Sequence, residues 1–252
     1  FIMMTTHRAP AVLRLDGIYH NSACDYKALN APIKNAHRIA SAVVVQSEFD
    51  RELVERYIGP HENVHVIHNG TDLDECAAAE PLQSDHLDAF SEVWCCASSW
   101  RPHKRLAENA RYFFEHAPKD ACFVIAGENP DVRIADPRVF YAGQLDRPTL
   151  LSLFKRARVF THLALMDHCP NVAVDARACG CKIVCSSSGG TSEIAGSDAI
   201  MIEEDPWDWE PFKLYEPPPL DFSRVSQLMN VGNELDIRVV AERYVEVLES
   251  VV

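Results

Sequence analysis

The sequence predicts an α/β protein, a doubly wound parallel sheet preceded by a partial second α/β unit. Three observations predict it. Short apolar runs of strand length alternate with stretches of helical period along the 252 residues. Asp16-Gly17, Asn69-Gly70, Gly127 and Asp167 close such runs, where turns and ligand loops belong. A mixed polar stretch separates a first series of runs from a second. The 47% hydrophobic content supplies a core and excludes a disordered chain.

In chain order, Ala11 to Leu15 reads as a buried strand. A helical stretch follows with Tyr26, Leu29, Ile33 and Ala36 or Ala40 on one side. Ala42 to Val45 is a second strand, and Ser47 caps a short helix carrying Phe49, Leu53, Val54 and Tyr57. Val64 to Ile67 is a third, closed by Asn69-Gly70. Residues 73 to 91 read as a linker, so residues 1–75 form a partial N-terminal unit and 76–92 connect it onward. A new series starts at Val93 to Ala97, with a helix through Leu106, Ala110, Phe113 and Ala117. Cys122 to Ala126 and Val139 to Ala142 are strands, and Leu150, Leu151, Phe154 and Ala157 mark a helix. The second unit spans 93–235. Residues 205 to 219, with Pro206, Pro211, three consecutive prolines from Pro217 and two Trp, read as a rigid irregular surface segment. Residues 236–252 form an amphipathic helix that packs either on its own unit or back on the first.

The stretch from Asp167 to Gly190 organises the second unit. Val159 to Leu165 is a strand ending on an acid. Pro170 suits a first helical turn and Gly180 the position past the last. Asn171 and Asp175 are four apart and share a face. Lys182 to Cys185 is a strand, and Ser186 to Gly190 a turn whose backbone lets a ligand approach closely. Ala199 to Ile202 is the last predicted strand. Ligands of a doubly wound sheet bind beyond the carboxyl ends of its strands. Ser98, Ser99, Arg101 and Lys104 follow one strand, Gly127 and Glu128 a second, and Asp167 and the Ser186–Gly190 turn later ones. Parallel strands bring all four loops to one edge, where a nucleotide site belongs.

Formal net charge is −13, from 24 basic and 37 acidic residues, which disfavours nucleic acid and anionic lipid as partners. No apolar run approaches the roughly 20 residues needed to span a bilayer, and Phe1-Ile-Met-Met does not resemble a signal sequence. A soluble, cytoplasmic protein is expected. The nine cysteines are an odd count lying mostly in apolar runs, as reduced buried thiols do. Cys179, Cys181, Cys169, His162 and His168 lack zinc-site spacing, so no metal is expected. Asn69-Gly70-Thr71 matches a glycosylation acceptor by accident.

Two acids separated by seven residues, Asp167 and Asp175, then Ala178-Cys179-Gly180, a strand, Gly189-Gly190 and Glu193, resemble the donor-site motif of retaining glycosyltransferases of the family-4 group. In that family both acids are usually Glu, and a Gly-rich tripeptide stands where this chain has His168-Cys169-Pro170. The resemblance implies the GT-B fold, with residues 93–235 as its C-terminal donor domain. It implies a nucleotide diphosphate sugar as donor substrate, no cofactor, and an unknown acceptor (glycan, lipid-linked sugar or small molecule). Arg101 and Lys104 match the family's phosphate-holding cations, where negative charge grows as the sugar leaves; two cations make a metal unnecessary. Asp167 stands at the sugar position and Asp175 at the ribose position. Each reaches roughly 1.5 Å less than Glu. Ser98, Ser99, Gly127, Asn171, Gly189 and Gly190 complete the donor side. A strand-end cap for Asp167, an ordinary helical Asp at 175 and a solvated basic helix start at 101–104 are the structural alternatives. Asp16 falls where the family has an acceptor-side residue, or is simply a turn-forming Asp-Gly pair.

The family's reaction is usually pictured as front-face attack by the acceptor hydroxyl, so no enzyme nucleophile is expected. A full enzyme of this kind has a larger N-terminal domain. A three-stranded remnant leaves an edge and an apolar face open, which implies a homodimer or partner chain unless the terminal helix covers them. The alternative function is a catalytically reduced nucleotide-binding or scaffolding module; an epimerase on the same fold fits the acid spacing less well.

Overall fold

The computed structural model describes residues 9–228 and 234–252. Two parallel sheets organise it. The smaller has β1 (Val12–Leu15), β2 (Ala42–Val45) and β3 (Val64–Val66) in the order β1-β2-β3. The helix α1 (Tyr26–Ile39) begins at Asp25, whose carboxylate accepts from the Ala28 amide. The helix α2 (Glu48–Tyr57) begins at Ser47, whose hydroxyl accepts from the Asp50 amide, as its sequence signal predicts.

The linker of residues 73 to 91 contains two short helices that its sequence does not announce, α3 (Leu73–Ala78) and α4 (Asp85–Asp88). Cys76 and Leu87 of these turns are buried in the core of the second unit. Asp72 supplies the cap of α3 by accepting from Asp74 and Glu75. Turns this short are below the length at which periodicity is readable.

The larger sheet contains β4 (Val93–Ala97), β5 (Cys122–Ala126), β6 (Val139–Gly143), β7 (Val159–His162), β8 (Lys182–Ser186), β9 (Ile200–Ile202) and β10 (Val225–Gln227). Their order is β10-β9-β8-β7-β4-β5-β6, parallel except for the β10–β9 pair. Between them run α5 (Leu106–His116), α6 (Arg147–Arg156), α7 (Asn171–Ala178) and α8 (Thr191–Ile194). Alternation along β4 sends Cys95 and Ala97 into one core with Phe154 and Val174, and Trp94 and Cys96 into the opposite core with Phe113. Both faces are therefore buried, which is why these strands read as continuous apolar runs. The edge strand β10 has no such signal; its Val225 is exposed.

The terminal helix α9 (Ile237–Ser250) packs on the small sheet: Val240 and Val247 cluster with Ala42, Val44 and Ile67. Thr71 pairs with the chain just before it, donating to Leu235 and accepting from Ile237. A Cβ at Gly70 would lie 2.8 Å from Val240, so the close approach needs glycine there. The opposite face, with Val43 and Val45, packs on Leu53, Val54, Trp207 and Trp209. The covering that otherwise called for a second chain comes from this chain's own helix and its Trp-bearing segment. Eight of the nine cysteines are buried and all are free. No helix among the described residues is long and apolar enough to cross a membrane.

Val240→Ala removes two buried carbons from the contact that holds α9 on the small sheet, and should cost about 2 kcal/mol. Urea unfolding measures this; a midpoint unchanged from wild type would show that α9 contributes nothing to the fold.

Candidate active site

The chain leaves β4 toward β5 and β6, then returns to place β7 on the other side of β4. The loops after β4 and β7 consequently diverge, and the crevice between them is where a doubly wound sheet takes its ligand. Lys104 arrives by the first loop and Asp167 by the second. Their Nζ and Oδ2 atoms are 2.5 Å apart, and both side chains are largely buried. His162, the last residue of β7, brings Nε2 to 2.7 Å from the same oxygen. Oδ1 accepts from the His168 amide at 3.0 Å. Burial alone would raise the Asp167 pKa, but the Lys104 ammonium and His162 hold it well below the usual carboxylate range. Asp167 is a fixed anion.

Local chemistry places each partner. A 3₁₀ turn, Pro102–Lys104, turns the loop after β4, and Arg105 follows in the left-handed region at φ 53°. Its buried guanidinium holds Glu204 through two bonds of 2.9 and 2.7 Å. Asp167 is locked from behind by the turn after β8: the Gly190 amide donates to its carbonyl at 2.7 Å. A Cβ on Gly189, at φ 85°, would fall 2.4 Å from that carbonyl, and one on Gly190 would fall 2.0 Å from the carbonyl of His168. Glycine is required at both because backbone meets backbone there. Gly127 has the same role between loops, since its Cβ would sit 1.8 Å from the Ser98 carbonyl. Ser98 and Ser99 lie in the loop after β4, the Ser98 hydroxyl donating to Ser99 at 3.3 Å. Glu128 is exposed beside them, and its carbonyl accepts from Trp100.

Arg101 is exposed at the mouth of the same loop and has no ion-pair partner among the described residues. Asp175 is elsewhere. Buried on α7, it accepts from the Thr71 hydroxyl at 2.5 Å and from Arg147 at 2.9 Å. With Asn171, Asn69 and Arg147 it lines a separate crevice of about 630 Å³ beside the chain crossing. Lys104, Asp167 and the Arg101 loop are thus brought together, whereas Asp175 joins α7 to Thr71 and α6.

Asp16 follows β1, accepts from Gln46 Nε2 at 2.5 Å and pairs with Arg14. Its neighbour Gly17 lies against the His168 ring, so Asp16 borders the crevice between the units. His168 Nδ1 bonds Asp50 Oδ1 across that crevice. Burial works against the His168 imidazolium, yet Asp50 raises its pKa above the usual value. Glu193 accepts from the Glu48 and Phe49 amides at 2.8 and 3.0 Å, capping α2 from the opposite unit, and pairs with His68. Anions suit a helix N-terminus. Sequence reasoning missed Asp50, Arg105, Arg147 and His162 as partners; only Glu193, by its place in the motif, carried a signal. Among the described residues no three His, Cys, Asp or Glu side chains converge as a metal cage.

Fold and crevice define a class, the GT-B glycosyltransferases. Solved structures of that architecture align over nearly the whole chain. HepE of Anabaena in complex with UDP-glucose aligns at TM-score 0.72 and 16% identity, covering 99% of this chain and 74% of that one. The UDP-forming α,α-trehalose-phosphate synthase of Burkholderia xenovorans in complex with glucose-6-phosphate gives 0.66 and 14%, over 98% and 70%. Sucrose-phosphate synthase of Thermosynechococcus elongatus gives 0.65 and 14%, over 95% and 67%. No curated protein matches. The two units match two family models in order: "Glycosyltransferase Family 4" over residues 2–75 and "Glycosyl transferases group 1" over 92–210. The chain is a family-4-like glycosyltransferase with the GT-B fold.

Two buried histidines set an acid limit on the site. Burial, reinforced by His168, lowers His20 to about 4; burial, reinforced by Lys104, lowers His103 to about 3. Between pH 6.5 and 4 the unfolded chain takes up these protons and the folded one does not, so stability falls with falling pH. Each contributes up to about 1.4 kcal/mol per pH unit. His168, raised, adds no slope in that window. His20→Phe should flatten the melting-temperature profile between pH 6 and 4; an unchanged slope would remove His20 from this account.

Proposed function

We propose that this protein is a retaining, metal-independent transferase that moves a sugar from a nucleotide diphosphate sugar to an acceptor hydroxyl. The observation that carries the reading is the Lys104–Asp167 pair, 2.5 Å apart at the switch point of the sheet. One ammonium hydrogen engages Asp167, and two remain for a diphosphate. Arg101, exposed three residues earlier in that loop, supplies the second cation. Together they stabilise the charge that grows on the leaving phosphate. Asp167 accepts from the hydroxyls of the sugar, and Asn171 and Asp175 act on the ribose side, Asp175 through release from Arg147. Ser98, Ser99, Gly127, Gly189 and Gly190 line the approach.

In the transfer, the acceptor oxygen bonds the anomeric carbon on the face the phosphate leaves. The carbon–phosphate-oxygen bond breaks, and the acceptor proton passes to the departing phosphate oxygen. Asp16, at the opposite wall, orients the acceptor. UDP is the favoured nucleotide, because the HepE structure at TM-score 0.72 holds UDP-glucose. A cytoplasmic setting fits the free thiols.

A thermal-shift panel of UDP-, GDP-, ADP- and dTDP-sugars tests the donor. At about 100 times the dissociation constant, the cognate sugar should stabilise the protein by roughly 2.7 kcal/mol. Arg101→Ala should lose most of that response; an equal response would take Arg101 out of the site.

Asp167→Asn should lower kcat at least roughly 100-fold with the fold intact, and wild-type activity should survive EDTA. NMR of the product should show the anomeric configuration of the donor; an inverted product would end the retaining assignment. Nucleotide binding without turnover against any acceptor would leave a binding module instead.

A further inference from the structure

A second cavity, of about 410 Å³, lies at the carboxyl ends of β7, β8 and β9, beside the loop that carries Asp167. Leu165 and Met166, the two residues before that acid, form one wall; Ser188 and Glu203 form the floor. The roof is the segment that the sequence marks only as irregular and Pro-rich. It leaves β9, crosses to the small sheet and returns to the large unit's core at Leu220 and Phe222. Phe212 in that roof accepts from the Ser22 amide at 2.9 Å, and the Tyr57 hydroxyl donates to the Trp209 carbonyl at 2.9 Å. Its anchors are thus the loop after β1, which also carries Asp16, and the end of α2. The cavity is lined by the large unit alone, and the small unit holds its roof in place.

The lining has a definite chemistry. Trp207 and Phe212 meet edge-to-face, ring centroids 5.5 Å apart, and present apolar ring surface to the cavity. Glu203 uses one carboxylate oxygen on the Ser226 hydroxyl, and Asp205 uses one on Arg224. Their other oxygens have no partner among the described residues. Ser188 is oriented by donating to Glu204, itself fixed by Arg105. Carboxylate oxygens accept from hydroxyls, and aromatic rings pack on the apolar C–H face of a pyranose. Four carboxylates line the cavity against one guanidinium, that of Arg224, so an anionic ligand is repelled. The volume lies at the small end of ligand cavities.

We propose that this cavity binds an uncharged saccharide, the acceptor end of the transfer, in contact with the Asp167 loop and under the Trp207–Phe212 roof. The proposal rests on the transferase reading for its acceptor role and on the cavity alone for its saccharide chemistry. It adds acceptor recognition by a segment of the donor-side unit to the contact made by Asp16, with the N-terminal unit also supplying the anchorage.

The test is methyl-¹³C methionine NMR on the full chain, titrated with glucose, galactose, mannose and N-acetylglucosamine, and with glucuronate as the anionic control. At least one neutral sugar should shift the Met166 methyl and leave Met201 unmoved, with saturating UDP present or absent, and glucuronate should not. Trp207→Ala and Glu203→Gln should each weaken that sugar tenfold or more while the melting-temperature rise given by UDP is kept; two variants guard against one misfolding. Silence of Met166 toward every neutral sugar, or equal binding of glucuronate, overturns the proposal. Displacement of the free sugar by UDP-glucose but not by UDP also overturns it, since the cavity would then hold the donor's own hexose. A UDP response without a Met166 response removes this cavity alone, whereas a Met166 response without any UDP response removes the transferase reading.

Discussion

The Lys104–Asp167 ion pair is the contact on which the site depends. Each partner follows a different strand of the switch point, and both are largely withdrawn from solvent. A carboxylate buried to this degree costs several kcal/mol unless it is paired and hydrogen-bonded. Lys104 and His162 share one oxygen, and the His168 amide serves the other. These bonds fix both rotamers before any ligand arrives, which is the condition for electrostatic stabilisation without reorganisation, and they leave Oδ1 with room for one more donor. The backbone behind Asp167 is fixed just as firmly. The carbonyl of Asp167 is satisfied by Gly190, and the glycines of that turn leave no space for a side chain.

The two units are joined by polar contacts that continue from this pair. His168, one residue on, reaches Asp50 on α2; Glu193 caps the same helix; the Asn69 side chain donates to the Cys169 carbonyl at 2.8 Å. α2 is therefore held by the Asp167 loop and by the glycine turn at once. Charged groups at a helix terminus are worth more when partly buried, and Glu193 is mostly withdrawn from solvent. The apolar closures are independent of these: α9 covers one face of the small sheet and the Trp-bearing segment the other. A small sheet with so few strands persists because both faces are dry. Its relation to the larger unit is set by the polar line between them.

Departures from the family pattern take on a physical sense in this arrangement. Where a flexible Gly-rich tripeptide is expected after the first acid, His168-Cys169-Pro170 reaches across to the other unit. The imidazole fills the space that Gly17 leaves open and bonds Asp50. Asp in place of Glu at 167 suits a loop already drawn close to Lys104. At position 175 the shorter acid lies against Thr71 and Arg147, where a longer one would have to displace them.

Much of this was legible in the chain. Apolar runs such as Val93 to Ala97 and Cys122 to Ala126 had to become buried parallel strands, because alternating faces both enter cores. Ser47 announced itself as a helix cap, and the spacing of Asp167, Gly189 and Gly190 pointed to one edge of the sheet; the Asn69-Gly70 pair, read as a turn, is instead irregular chain drawn against α9. What the chain could not reveal is which distant groups would meet. Asp50 and His168 are separated by 118 positions, and Arg105 and Glu204 by 99. Periodicity reports only neighbours within a turn or two, and β10, α3 and α4 were too short to register. Local composition thus determined the strands, the helices and the loops in which chemistry would gather. Tertiary packing decided the pairing of their charges, because ion pairs between units form only once the sheet has brought their loops together.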